Sequence, residues 1–261
     1  GIYRNVWLTV TNPTHIETWG TFIATPEVSA TEATVSIQTS IKNIDETKEI
    51  TLETTLFNAE GKEVTRTASA HYLGRFQQSN IAQNLTVPSP KLWSPSSPYI
   101  YSAVSTIKEN GVVVDQYHST FGIRTLTFDA DKGFFINGEN LKMKGVCLHH
   151  DAGVLGAAVP DEVWLRRLKE LRAIGCNAIR TSHNPTSPEF MDICDQLGFL
   201  VMDEFVDKWD NASTDNVFFD EPFADPMFSE EWKKNFGETI RRDRNHPSVI
   251  MWSVGNENHS P

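Results

Sequence analysis

Four groups of polar residues in the second half of the sequence could do chemistry. They are His149-His150-Asp151, then Arg180 with Ser182-His183-Asn184, then Asp203-Glu204 with Asp207 and Trp209 beyond, and finally Asn256-Glu257 with His259. Each follows a short apolar run, and polar groups that follow a buried strand emerge at its carboxyl end, where barrels and open α/β sheets keep their chemistry. A lone Glu257 could simply cap a loop at a strand end. Four such ends together are harder to explain as stability devices, because unpaired polar groups gain nothing from burial. A metal site lacks HExxH or H-x-H spacing, and Ser-His-Asp catalysis lacks GxSxG. Glycoside hydrolysis needs two carboxyl groups and neutral hydrogen-bond partners for sugar hydroxyls. The set suits that chemistry best, with Glu257 as the leading carboxyl.

The elements that must position these residues alternate strand and helix. Leu141–Val146 reads as a strand, followed by an amphipathic helix from Asp161 to Ile174 with Trp164, Leu168 and Leu171 on one face and Gly175 as its stop. Cys176–Arg180 is the next strand. Ser187 as N-cap and Pro188 at the first helical position open a second helix, whose face is Phe190, Ile193, Cys194 and Leu197 and whose end is Gly198. Phe199–Met202 is a third strand. A long acidic and aromatic segment, 205–228, precedes a helix capped by Ser229 and running to Asn245. Val249-Ile250-Met251-Trp252 shows no polar alternation, so it is expected as a strand covered on both faces.

Four βα units in a row imply a parallel sheet, and four strands are half of an eight-stranded barrel. A half barrel has two unpaired edges and an apolar face. These edges are expected to be covered by a partner copy or by the sandwich, or else to drive self-association and aggregation.

The first half of the chain reads as strand after strand. Val6–Val10, Thr21–Ala24, Ala33–Ile41, Ile50–Phe57, Ile81–Val87 and Tyr99–Ile107 are strands, the last pairing with Val112–Tyr117 across Asn110-Gly111. About seven strands in about 100 residues, with regular turns, predict an immunoglobulin-like sandwich. Nothing in it converges on chemistry, and Trp93 reads as a packing anchor. A hairpin at 123–139 follows, turning near Asp131-Lys132-Gly133 or Asn137-Gly138. The expected domains are therefore 1–16, the end of a preceding β-domain with its linker; 17–122, the sandwich; and 123–261, the half barrel.

Composition narrows the function classes. A net charge of −11 gives no basic face for nucleic acid or anionic membrane, and no apolar run is long enough to span a bilayer as a helix. Cys147, Cys176 and Cys194 form no CxxC pair and are expected as buried free thiols. The start at Gly1-Ile2-Tyr3-Arg4, without Met, reads as a piece of a longer protein whose targeting information lies elsewhere.

Several stretches resemble glycoside hydrolase family 2. Asn177-Ala178-Ile179-Arg180-Thr181-Ser182-His183-Asn184-Pro185, continuing to Gly198–Glu204, resembles the family's first signature, and Arg244–Glu257 its acid/base signature. Gly145–His150 is similar to its first barrel strand. Leu92-Trp93-Ser94-Pro95 with Pro98–Tyr101, and Gly1–Val6, are similar to its sandwich and to the exit of its sugar-binding domain. The wording His183-Asn184-Pro185 and Met202-Asp203-Glu204 is most similar to the bacterial β-galactosidase branch.

The resemblance implies a retaining, exo-acting β-glycosidase acting on a β-galactoside. Glu257 would be the general acid/base, Asn256 a partner of the sugar 2-hydroxyl, and His149 and His183 holders of other hydroxyls. Arg180 would orient the nucleophile, and Asp203 and Glu204 would supply charge nearby or form a buried ion pair with Arg180. Where some members carry a magnesium motif, this chain has Val206-Asp207-Lys208-Trp209-Asp210, so no metal or other cofactor is expected. The nucleophile is expected beyond Pro261, which would leave this stretch inactive alone. The alternatives are a non-catalytic carbohydrate-binding or scaffold module, or a β-glucuronidase or β-mannosidase of the same family. A periplasmic or extracellular location is suggested by the resemblance only.

Overall fold

The structure, a computed structural model, describes residues 2–207 and 226–256, with the backbone alone for 226–230. It comprises two compact units. One holds Asn5–Lys142 and Arg244–Pro247; the other holds the described parts of Gly1–Arg4, Met143–Asp243 and Ser248–Pro261.

The first unit is a β-sandwich of seven antiparallel strands. β1 (Thr14–Val28), β2 (Glu32–Asn43) and β5 (Gln77–Pro88) form one sheet in the order β1-β2-β5. β3 (Lys48–Phe57), β4 (Glu63–Leu73), β6 (Tyr101–Glu109) and β7 (Val112–Phe121) form the other, in the order β4-β3-β6-β7. Period-two alternation sends Ala33, Val35, Ile37 and Ile41 of β2 inward, where they meet Leu52 and Leu56 of β3 and Ala103 and Ile107 of β6 within the two apolar clusters of the sandwich. Gln83 crosses between the sheets with its amide satisfied. Its Nε2 donates to the Leu52 carbonyl at 2.9 Å, and its Oε1 accepts from Thr54 Oγ1 at 2.7 Å. Trp93 is fully buried, as a packing anchor must be. Asn110-Gly111 and Asn137-Gly138 all take positive φ, the backbone that a two-residue hairpin turn requires. The second of these pairs closes a small sheet of β8 (Leu126–Asp129), β9 (Gly133–Ile136) and β10 (Glu139–Asn140), so both turn signals in 123–139 are used.

The second unit is a parallel four-stranded sheet in sequential order, β11 (Gly145–His149), β12 (Ala178–Ser182), β13 (Leu200–Glu204) and β14 (Val249–Ser253). Helices α1 (Asp161–Ala173), α2 (Pro188–Leu197) and α3 (Pro226–Asp243) connect the strands. α2 forms where its end signals place it. Ser187 Oγ accepts from the Phe190 N–H, Pro188 sits in the first turn, and Gly198 closes the helix in the left-handed conformation at φ 73°. Val146, Leu148, Ile179, Val201 and Val249 on one face of the sheet pack against Trp164, Leu168, Phe190, Met191 and Cys194 of the helices.

Several elements differ from the sequence expectation. Val6–Val10 forms no strand, and its apolar side chains are exposed; without a neighbouring ladder an extended segment has no hydrogen bonds to hold it. β4 has no counterpart among the expected strands. The strand expected at Leu141–Val146 begins only at Gly145, where the Asn177 side chain takes the Lys144 N–H at 2.7 Å and the ladder to β12 starts. α3 begins at Pro226 rather than at a Ser229 cap. Cys147 is exposed, since β11 is a sheet edge, whereas Cys176 and Cys194 are buried. β14 is the other edge, so Val249 alone of its run is buried and Trp252 is exposed, not covered on both faces.

Phe190, with no exposed surface, contacts Trp164 edge-on at a ring separation of 5.0 Å. Replacing it by Ala should cost about 3–5 kcal/mol of stability in chemical denaturation. Replacing exposed Trp252 on the edge strand should cost far less, and equal losses would contradict this placement of the core.

Candidate active site

Register decides which side chains share a face. Cys147 lies beside Arg180 and Arg180 beside Met202, while His149 lies beside Ser182 and Glu204 beside Ser253. With side chains alternating along each strand, these residues project from the face opposite the helices. Glu204 therefore points to that face, whereas Asp203, one residue earlier, points toward the helices.

Glu204 is the centre of the polar cluster and has no exposed side-chain surface. Its Oε2 accepts from Arg180 Nε at 2.7 Å and Ser253 Oγ at 2.8 Å. Its Oε1 accepts from Arg180 Nη2 at 3.0 Å and from His183 Nδ1 at 2.6 Å. A carboxylate offers about four lone-pair sites, and all are taken. Burial disfavours its charge, but the hydrogen bonds from Arg180, His183 and Ser253 outweigh that penalty and hold the carboxyl below its ordinary range. Since the carboxylate can only accept, His183 Nδ1 must carry a proton. In the neutral ring Nε2 is then left as an acceptor. The His149 ring stands edge-on to His183 with centroids 5.1 Å apart.

Arg180 also ties in the fourth strand. Its Nη2 donates to Asn256 Oδ1 at 2.9 Å, while Nη1 faces Cys147 Sγ at 3.8 Å. The structure thus brings together His149, Arg180, His183, Glu204 and Asn256. Glu257, His259 and Trp209 lie outside the described residues.

Asp203 does not join them. It is 1% exposed, and its Oδ1 accepts from Thr181 Oγ1 at 3.3 Å. The same hydroxyl accepts the Glu204 N–H at 2.8 Å, so Thr181 links the two neighbouring carboxyl residues. Burial and the adjacent Asp243 carboxyl push Asp203 up to about 8, against the smaller opposing effect of Arg242. With both carboxyls ionised Asp203 Oδ2 would have no partner, and a proton donated to Asp243 supplies one. Asp243 is itself gripped by Arg242, through Nε at 2.7 Å and Nη2 at 2.6 Å. Asp203 is thus a neutral, buried link between β13 and α3, on the other side of the strand from the residues gathered around Glu204. Thr181, Ser253, Asp243 and Arg242 escaped the sequence reading; for Ser253 the signal was its even spacing from Met251 on the mouth-facing side of the strand.

The sequence model described as "Glycosyl hydrolases family 2" matches residues 14–124, and the one described as "Glycosyl hydrolases family 2, TIM barrel domain" matches residues 129–260. A sandwich followed by parallel βα units with polar strand ends is the layout of a β-domain leading into a barrel. The chain belongs to glycoside hydrolase family 2, and its second unit is the first half of that family's TIM barrel. The β-galactosidase BoGH2A of Bacteroides ovatus is 43% identical over 259 residues, covering 98% of this chain and 30% of that protein. The crystal structure of a family 2 member from Bacteroides cellulosilyticus superposes with a TM-score of 0.88 at 39% identity, over 96% of this chain and 33% of that one. A Bacteroides uniformis β-glucuronidase superposes with a TM-score of 0.86 at 31% identity, over 99% of this chain and 30% of that one. The chain spans about a third of the length of these relatives.

The raised Asp203 gives a signed pH dependence. Its ordinary value is 3.8, so between there and about 8 the folded state binds the extra proton. Stability should fall as pH rises through that window and level off above it. Asp203→Asn keeps a donor toward Asp243 and removes the titration. Denaturation midpoints measured from pH 5 to 9 should decline less steeply for the variant, and parallel slopes would contradict the assignment.

Proposed function

We propose that the protein containing this chain is a retaining, exo-acting β-glycosidase that removes terminal β-galactosyl residues, with Glu257 as general acid/base. The observation that carries this reading is the Arg180 guanidinium, which binds Glu204 and Asn256 at once and so fixes the residue immediately before Glu257 against the ends of two neighbouring strands. In the first half-reaction Glu257 donates its proton to the departing glycosidic oxygen. In the second it removes a proton from the water that attacks the anomeric carbon. Asn256 hydrogen-bonds the sugar 2-hydroxyl, and His149 and His183 hold other hydroxyls.

The retaining mechanism also needs a second carboxylate about 5–5.5 Å from the first. Glu204 is saturated by four donors and Asp203 faces the helices as a neutral acid, so neither can attack a sugar. The nucleophile in this reading belongs to the remainder of the barrel. A β-galactoside is favoured because the relative at 43% identity is named a β-galactosidase. A glucuronide is the second reading, favoured by the β-glucuronidase among the structural relatives.

The test uses the whole protein with paired aryl β-galactoside and aryl β-glucuronide substrates. Hydrolysis of the galactoside with retained anomeric configuration is expected, and Glu257→Gln should lower kcat/KM by about 10²–10⁴-fold for a poor leaving group. Sugar binding without turnover would identify a carbohydrate-binding module instead. Full activity in Glu257→Gln would remove the residue from the mechanism.

A further inference from the structure

The segments that follow β13 and β14 meet through one residue pair that the ladder does not require. The Asn256 N–H donates to the Asp207 carbonyl at 2.7 Å, and Asn256 Nδ2 donates to Asp207 Oδ1 at 3.0 Å. On its other side Asn256 Oδ1 accepts from Arg180 Nη2 at 2.9 Å. These partners fix which way round the amide lies. Turned over, its NH2 would face a guanidinium and its carbonyl a carboxylate, two donors together and two acceptors together. Of the two amide hydrogens one is spent on Asp207, so Asn256 retains one side-chain donor.

Asp207 is exposed. Its bond to Asn256 is charge-assisted, roughly twice as strong as a neutral one. Beyond Glu204, the described structure has Phe205 N–H bonded to the Ser253 carbonyl at 3.0 Å, so backbone pairing between the two strands persists up to this clamp.

We propose that Asp207 is a positioning residue for the glycosidase reaction. It holds Asn256 so that its remaining N–H donates to a hydroxyl oxygen of the sugar at the scissile bond. The proposal rests on the reading of Asn256 as a sugar contact and adds the residue that aims it. Asp207 itself touches neither sugar nor reacting atoms; it acts through Asn256 alone. The donor at that position favours a glycone carrying a hydroxyl there over one lacking it.

The experiment is a double-mutant cycle in the whole protein, with steady-state rates on the aryl β-glycoside it cleaves and thermal midpoints alongside. Asp207→Ala should lower kcat/KM by about 10- to 100-fold, with the loss in kcat and little change in KM, as for a contact that strengthens in the transition state. In an Asn256→Ala background the same change should cost nothing further. Asp207→Asn, which retains an acceptor oxygen, should recover most of the rate. If Asp207→Ala proves unstable, Asp207→Ser, too short to reach the amide, repeats the measurement at this exposed position. Wild-type rates in Asp207→Ala, or an equal loss in both backgrounds, would overturn the proposal. An Asn256→Ala variant with full activity would instead remove Asn256 from the sugar, and the positioning role with it.

Discussion

A buried carboxylate with every lone pair occupied fixes the geometry of the mouth. Glu204 draws donors from three places: Arg180 on β12, His183 just beyond it, and Ser253 on β14. Removing one partner from a buried ion pair costs about 3–5 kcal/mol, because the other charge stays behind unpaired. The same saturation that makes the cluster rigid makes Glu204 useless as a nucleophile or acid. Its work is to aim other groups: the Arg180 guanidinium toward Asn256, and the His183 ring with Nε2 outward.

Two adjacent carboxyl residues meet opposite fates because a strand alternates. Glu204 faces a cation and two further donors and stays ionised. Asp203 faces Asp243 across the sheet–helix contact and keeps its proton. Thr181 joins the two, donating to Asp203 while accepting from the Glu204 backbone. The helix side of β13 is thereby locked to the end of α3 by a neutral acid, while its other side carries charge toward the site. Environment rather than residue type separates the two carboxyls, as in other pairs whose acidities are driven apart.

Much of this was readable from the sequence, for identifiable reasons. α2 was legible because Ser187, Pro188 and Gly198 each do one conformational job, and both Asn-Gly turns because only such residues accept positive φ cheaply. β4 was not, since it is an edge strand whose half-buried positions include Thr67, Ser69 and His71 rather than an apolar row. Strand starts were misjudged where apolar residues precede the ladder, as at Leu141. The strand-end polar groups were legible as a set, but the side of β13 that Asp203 takes was not. The residue that claims it, Asp243, arrives from a helix 40 positions later, which no local pattern announces. Asp207 was legible only as one more polar residue beyond the third strand, because its partner Asn256 lies 49 positions later.

The measurement that bears most directly on this account is a crystal structure of the whole protein with its monosaccharide product bound. The sugar should take hydrogen bonds from Asn256 Nδ2 and reach His183 Nε2, while Glu204 keeps Arg180, His183 and Ser253 and touches no sugar atom. A sugar hydroxyl bound directly to Glu204, with Arg180 turned away from it, would contradict the account.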